Sequence, residues 1–269
     1  MASKRSNNCA FQVVLPVFNE ELRIHKLLSY LSVKCSSILV VDNFSTDSTL
    51  SIIQAHFPDV QIVQISNDGT TETSEWWQKC SRYISFSYVY IASCSEYPTY
   101  YLLDYLSVFA ENNLGDLLEV PRLSLTSGYS TDLLYCSALS VFSKRILPAT
   151  VVRFVRWKSV DPTLIFPHSS FKNQTACNTI SISASNAKLC IHHHRPYPSL
   201  ASFSKHTAYA INYAKTRLKN NFFLAVIDSL LRSILDTLRV FRAALELKLS
   251  KVLLIEFFLR LIMHIQVIF

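Results

Sequence analysis

Glycine is nearly absent from this chain. Three glycines occur in 269 residues, against a usual share of about 7%. Neither G-x-G-x-x-G nor G-x-x-x-x-G-K-[ST] is present. Both loops need a backbone without Cβ atoms to lie against phosphate, so a dinucleotide-binding Rossmann enzyme and a P-loop NTPase are excluded. Charge is sparse as well, at 17% of residues, whereas there are 13 Tyr and 17 Phe. A disordered chain shows the opposite balance. The seven cysteines are odd in number, widely spaced and without a C-x-x-C pair. They read as thiols in a reducing compartment and not as a zinc site or a disulfide framework. No stretch of 18 residues lacks charge, so no clean transmembrane span is expected. The N-terminal MASKRSNNCA has no apolar signal-peptide core, which points to the cytoplasm.

What charge there is lies unevenly. Residues 1–198 carry 16 Lys and Arg against 15 Asp and Glu, whereas residues 199–269 carry 10 against 4. The excess of +7 is therefore a property of the C-terminal quarter, which is also very apolar. We expect one large domain over 1–198 and a helical, basic-amphipathic region over 199–269. That region suits a membrane surface more than nucleic acid, for which no motif is evident. In VLLIEFFLRLIMHIQVIF, Glu256, Arg260 and His264 form one narrow polar stripe. Three readings stay open for it: packing on the main domain, packing on a second copy of the chain, and an in-plane helix at a membrane interface.

The first third alternates between two periods. Phe11–Val17, Ser37–Val41, Val60–Ile65 and Ser87–Ala92 are short apolar runs that read as buried strands. Helical spacing fills Glu20–Leu31 and Leu50–His56, the second stopped by Pro58. Strands alternating with helices imply an α/β fold with a mostly parallel sheet. Farther on, Thr99–Glu111 predicts a helix. Leu117–Thr126, Leu133–Ser143, Val151–Pro167 and Ser181–His193 predict strands, the last running into a loop.

Two polar segments carry the chemistry. Pro16-Val17-Phe18-Asn19-Glu20-Glu21 follows the first strand, and Asp42-Asn43-Phe44-Ser45-Thr46-Asp47-Ser48-Thr49 follows the second. In open α/β sheets, ligands bind at the carboxyl ends of strands. A carboxylate there can accept the imide N–H of a pyrimidine. Taken singly, Asp42 and Asp47 are equally well explained as helix caps. Together, LPVFNEE and VVDNFSTDST resemble the opening of the family 2 glycosyltransferases, over residues 11–96. The resemblance implies a GT-A fold with a helical C-terminal extension, a nucleotide-sugar co-substrate and inversion at the anomeric centre. By the same resemblance Pro16, Asn19 and Glu20 line the nucleoside pocket, Asp42 contacts the base, and Ser45 and Asp47 order the loop. Arg82, beyond Trp76 and Trp77, could face the diphosphate, or could be a solvated helix residue.

Where that family carries an acidic Asp-x-Asp-Glu motif for Mg²⁺ or Mn²⁺, this chain reads Ser93-Cys94-Ser95-Glu96. Both aspartates are replaced, and hard divalent ions prefer carboxylate oxygen. Three outcomes stay open: Glu96 alone holds a weakly bound metal, the diphosphate is neutralised otherwise, or catalysis is lost. An inverting transferase needs a general base for the acceptor hydroxyl. Asp161 in WKSVDPTL is the preferred candidate, with Asp132 as the other. In the run His192-His193-His194, neighbours on a strand point to opposite faces, so the three cannot share one ion. The resemblance puts one of them, His193 or His192, near the diphosphate or metal. The expectation is thus a cytoplasmic, membrane-peripheral transferase acting on a cell-envelope glycan or a lipid-linked acceptor. The rival expectation is a relative that keeps the pocket without catalysis.

Overall fold

The computed structural model describes residues 10–66, 74–126, 129–130, 149–162, 171, 174 and 176–195. They fall into two compact units. The first holds residues up to Arg122, apart from 69–71, together with Thr150–His193. The second holds 69–71, Leu123–Ala149 and the chain from His194. The helical region expected over 199–269 and the strand expected at Leu133–Ser143 lie outside the described residues.

The first unit begins as the sequence predicts. β1 (Gln12–Val17), α1 (Ile24–Leu31), β2 (Ile38–Asp42), α2 (Thr49–His56), β3 (Gln61–Gln64), α3 (Ser74–Cys80) and β4 (Tyr88–Ile91) follow one another. The four strands lie parallel in the order β3-β2-β1-β4. β1 and β2 are Val/Ile/Leu runs because helices cover both their faces. Along β1, Val13, Leu15 and Val17 join a core with Ile24, Leu27, Leu28 and Leu31 of α1, spaced three and four apart. Val14 faces the other way, into a second core with Val41, Trp76 and Trp77. Both tryptophans are buried, at 2% and 3% exposure. They are packing residues.

The sheet as a whole is mixed, where a mostly parallel one was expected. The strand–helix alternation that imposes parallel pairing ends at β4. After it come β5 (Glu96–Pro98), α4 (Tyr100–Glu111), β6 (Leu117–Thr126), β7 (Tyr129–Ser130), β8 (Ala149–Arg156), β9 (Thr179–Ser181) and β10 (Ile191–Arg195). Thr99 caps α4 by accepting from the Leu102 N–H. β8 runs antiparallel to β4, and β10 antiparallel to β5, and the order continues β4-β8-β6-β10-β5. β9 pairs with β6. The single strand expected over Ser181–His193 is thus two strands with turns between them. In the second unit, the end of β6 forms a hairpin with β7.

Pro16 shapes the point where strand order reverses. Successive β1 residues bond alternately to β2 and β4: Val13 N–H donates to Ser37 O, and Ala92 N–H donates to Val14 O. Residue 16 is next in line to donate towards β4, and proline has no N–H. The β1–β4 ladder ends at Val14, whereas the β1–β2 ladder runs on to Val17 opposite Asp42. The two central strands can therefore part at their carboxyl ends, where open α/β sheets bind ligands.

Candidate functional site

The two polar loops are joined by reciprocal hydrogen bonds. Asn19 N–H donates to Ser45 Oγ at 2.9 Å, and Thr46 N–H donates to Asn19 Oδ1 at 2.8 Å. Glu20 N–H reaches Thr49 Oγ1 at 2.7 Å. Glu21 N–H donates to Asp47 Oδ2, and Ser48 N–H returns a bond to Glu21 Oε2, both at 3.1 Å. Asn19 and Phe44 hold φ angles of 54° and 56°. Asparagine tolerates this left-handed region, but phenylalanine there is a true outlier. Asp47 also accepts from the Thr49 N–H and hydroxyl. Burial pushes its carboxyl up, but these bonds outweigh it and hold the group below the ordinary carboxylate range. Glu20 is gripped in addition by Arg23, through two bonds of 2.6 Å.

Asp42 builds the second loop from beneath. It is wholly buried. Its carboxylate accepts from the Ser45 N–H, the Ser45 hydroxyl and Gln64 Nε2, the last at 3.0 Å. Gln64, at the end of β3, has no motif to announce it in the sequence. The site residues Pro16, Asn19, Glu20, Asp42, Ser45 and Asp47 are thus brought together along the carboxyl ends of β1 and β2.

Glu96 sits in a different setting. It follows β4 by a tight turn in which its N–H donates to Ser93 O at 2.9 Å. The Ser93 and Ser95 hydroxyls are 3.1 Å apart. Glu96 is 1% exposed, and both its oxygens are held by guanidinium groups. Arg153 donates from Nε to Oε2 at 2.9 Å and from Nη2 to Oε1 at 2.8 Å. Arg122 donates from Nη1 to Oε1 at 3.3 Å. His193 stands directly across from Glu96 on β10. Burial pushes the Glu96 carboxyl up, but Arg153, Arg122 and His193 outweigh it and bring its pKa down to about 2. The β4–β8 register pairs Tyr90 with Phe154, so Arg153 falls opposite Ile91 at the carboxyl end of β4.

A divalent cation does not fit this arrangement. Ser93 and Ser95 offer neutral hydroxyls, and Glu96 offers oxygens already bonded to two positive groups. Among the described residues no group of three or more His, Cys, Asp or Glu could hold a metal. Glu96, expected as the metal ligand, is found as the counter-ion of Arg122 and Arg153. Neither arginine was singled out in the sequence. The available signal was their position: VPRLSL and VVRFVRW each place an arginine inside an otherwise apolar strand.

Two further candidates lie elsewhere. Arg82 is exposed in a single 3-10 turn after α3. That segment is at the amino end of the parallel strands, where Ser85 N–H donates to the Gln12 side chain at the start of β1. The structure does not bring Arg82 to the other residues. Asp161 is exposed and follows β8 and another 3-10 turn. Since Arg156 pairs with Tyr88 and Trp157 N–H donates to Ser87 O, this turn lies at the amino end of β4, and the expected base is not brought to the loops after β1 and β2. Its main chain is clasped by Gln174, which accepts from the Asp161 N–H and donates to its carbonyl, both at 2.8 Å.

No family model matches the chain. Over 107 residues, 40% of this chain, it is 31% identical to the SPbeta prophage-derived glycosyltransferase SunS of Bacillus subtilis strain 168. The glycosyltransferase SunS of Bacillus phage SPbeta gives the same figures. The match covers 22% of either relative's own length. Among solved structures, S. aureus TarS 1-349 in complex with UDP-GlcNAc has a TM-score of 0.54 at 15% identity, over 96% of this chain and 81% of that one. The mannosyltransferase PcManGT from Pyrobaculum calidifontis, in complex with GDP-Man and Mn²⁺, has a TM-score of 0.53 at 12% identity, over 96% and 85%. The chain has the α/β fold of the GT-A transferases, with its mixed sheet, and is a distant relative of glycosyltransferases.

Proposed function

We propose that the chain is an inverting, family 2-type glycosyltransferase that moves one sugar from a nucleotide-sugar to a hydroxyl of a cell-envelope glycan or lipid-linked acceptor. The observation that carries this reading is the pair of interlocked loops at the carboxyl ends of β1 and β2, beside the point where the strand order reverses. That point is where an α/β sheet takes a nucleotide. Pro16, Asn19, Glu20, Asp42, Ser45 and Asp47 form the nucleoside side. The acceptor hydroxyl must lose its proton to a general base as its oxygen attacks the anomeric carbon and the diphosphate leaves. Asp161, expected in that role, follows the end of β8 that pairs with Tyr88 at the amino end of β4, so the role is not assigned to it. The Mg²⁺ or Mn²⁺ implied by the family has no fitting donor set among the described residues, so no step runs through it. A thermal-shift screen of UDP, GDP and their sugars tests the reading. A ligand that binds only the folded state raises its stability, and a flat response to every nucleotide sinks the proposal.

Asp42 gives a sharper test. Asp42→Ala deletes the acceptor on which Ser45 and Gln64 converge. It should weaken nucleotide binding by about 1–3 kcal/mol, the scale for a lost charged hydrogen bond. Calorimetric titration of the folded variant checks this. Unchanged affinity would remove the loop from the site.

The serines at 93 and 95 support a second reading, a nucleotide-sugar-binding or scaffold relative without transfer. Donor hydrolysis, measured with and without Mn²⁺, separates the two. Turnover in either condition excludes the scaffold.

We further propose peripheral attachment to a membrane, on the cytoplasmic side, through residues 199–269. No helix among the described residues is long and apolar enough to cross one. The support is the charge excess of that quarter. Each Lys or Arg near an anionic surface adds about 1 kcal/mol of attraction. The full chain should co-sediment with anionic vesicles at low salt and be released only in part by high salt, since apolar contact is not screened. A monodisperse protein that ignores such vesicles points to packing of this region on the chain itself or on a second copy.

A further inference from the structure

We infer that Arg122 and Arg153, held by the buried Glu96, bind the donor diphosphate in place of a divalent cation. The inference rests on the donor reading above and adds to it which groups of this chain neutralise the leaving group.

Three observations carry it. The first is place. The cluster lies where β4 ends, Glu96 three residues beyond Ser93 and Arg153 in register with the last β4 residue. β4 is the parallel neighbour of β1, so the guanidinium groups stand at the same sheet end as the nucleoside loops. The second is the direction of charge. Glu96 is 1% exposed, whereas the side chains of Arg122 and Arg153 retain 22% and 20% of their surface. The carboxylate is sealed, whereas both arginine side chains keep part of their surface, so an anion that enters here meets arginine before it meets Glu96. His193 lies alongside, opposite Glu96. The third is preorganisation. The Nε and Nη2 of Arg153 grip separate oxygens of Glu96. That side-on pair is spent on the carboxylate, but it fixes the guanidinium plane before a ligand arrives, and a fixed plane suits phosphate oxygens at its other edge better than a mobile charge would. The carboxylate is thus a positioning residue for the two arginines.

The test is calorimetric titration of the full chain with UDP and GDP, and with uridine and guanosine as controls lacking phosphate. Each is run in EDTA and again in Mn²⁺. One diphosphate should bind in EDTA, and Mn²⁺ should change its affinity less than about threefold, well under the tenfold effect of a single charged bond. Arg122→Gln spares the Arg153–Glu96 pair and should fold, as judged by circular dichroism. It should weaken the diphosphate about 10- to 100-fold and leave the matching nucleoside unchanged. Arg122→Lys keeps the charge without the fork; it is read in the same way if the glutamine variant does not fold. Diphosphate binding that appears only with Mn²⁺ overturns the inference and leaves the donor reading intact. So does an equal loss of nucleoside and diphosphate in the Arg122 variants. Failure of both diphosphates and both nucleosides in both conditions overturns the donor reading itself.

Discussion

Arg153→Ala is expected to remove about 3–5 kcal/mol of stability at neutral pH, the scale for stripping one partner from a buried ion pair. Glu96 is 1% exposed and would lose both of its shorter bonds, keeping the longer Arg122 contact and the neighbouring His193. Against a typical total of about 5–15 kcal/mol, such a variant stands near unfolding. The pH dependence identifies the cause. In the native protein the Glu96 pKa is lowered from its ordinary 4.5 to about 2. Its contribution is therefore full above 4.5 and is lost as the pH falls towards 2. Without Arg153, burial raises the carboxyl instead, and protonation relieves the variant. The gap between the two proteins should thus narrow on acidification. Urea unfolding at several pH values measures it. A gap that is small, or constant with pH, means that Glu96 does not depend on Arg153.

Phe154→Ala should cost a similar amount, about 3–5 kcal/mol, through cavity formation. Phe154 is fully buried. It meets Phe11 edge-on at 5.2 Å, stacks on Tyr88 at 5.4 Å and meets Phe109 edge-on at 5.7 Å. One ring thereby ties β8 to the residue that leads into β1, to β4 and to α4. No single neighbour can move to fill its volume, because each belongs to a different segment. Phe154→Leu retains much of that volume and should cost clearly less. The measurement is the shift of the urea midpoint at constant slope. Equal effects of the two substitutions would show that the site collapses freely and that this cluster does not set the position of β8.

The early strands were legible because they are buried on both faces. LVV and VVL runs admit few other readings once helices alternate with them. β5 and its pairing with β10 were not, since Glu96-Tyr97-Pro98 is too short for any period to show, and its partner is nearly a hundred residues away. Separation also hid the ion cluster, whose arginines lie 26 and 57 residues beyond Glu96. A glutamate flanked by Ser95 and Tyr97 reads as a remnant of a metal motif until two arginines from β6 and β8 are set beside it. Sequence shows which residues are charged, but it does not show which charges meet. Arg82 illustrates the converse: its residue type suits phosphate, and the turn after α3 carries it to the other end of the sheet. The loops after β1 and β2 were recognised through their motif. What each side chain does within them, Asp42 as a loop builder above all, required the bonds themselves.

The zipper between those two loops has a consequence for how the chain can change by descent. Asn19 bonds to Ser45 and Thr46, Glu20 to Thr49, and Glu21 to Asp47 and Ser48. Substitutions within such a network are not additive, so a change on one loop is tolerated only alongside a matching change on the other. Drift here must come in pairs, and pairs are rare. Ser93 and Ser95 bond only locally, to each other and to the turn that carries Glu96. They can be replaced one at a time without disturbing the nucleoside side. The interlocked loops are inherited as a block, and the turn that carries the two serines is open to replacement residue by residue.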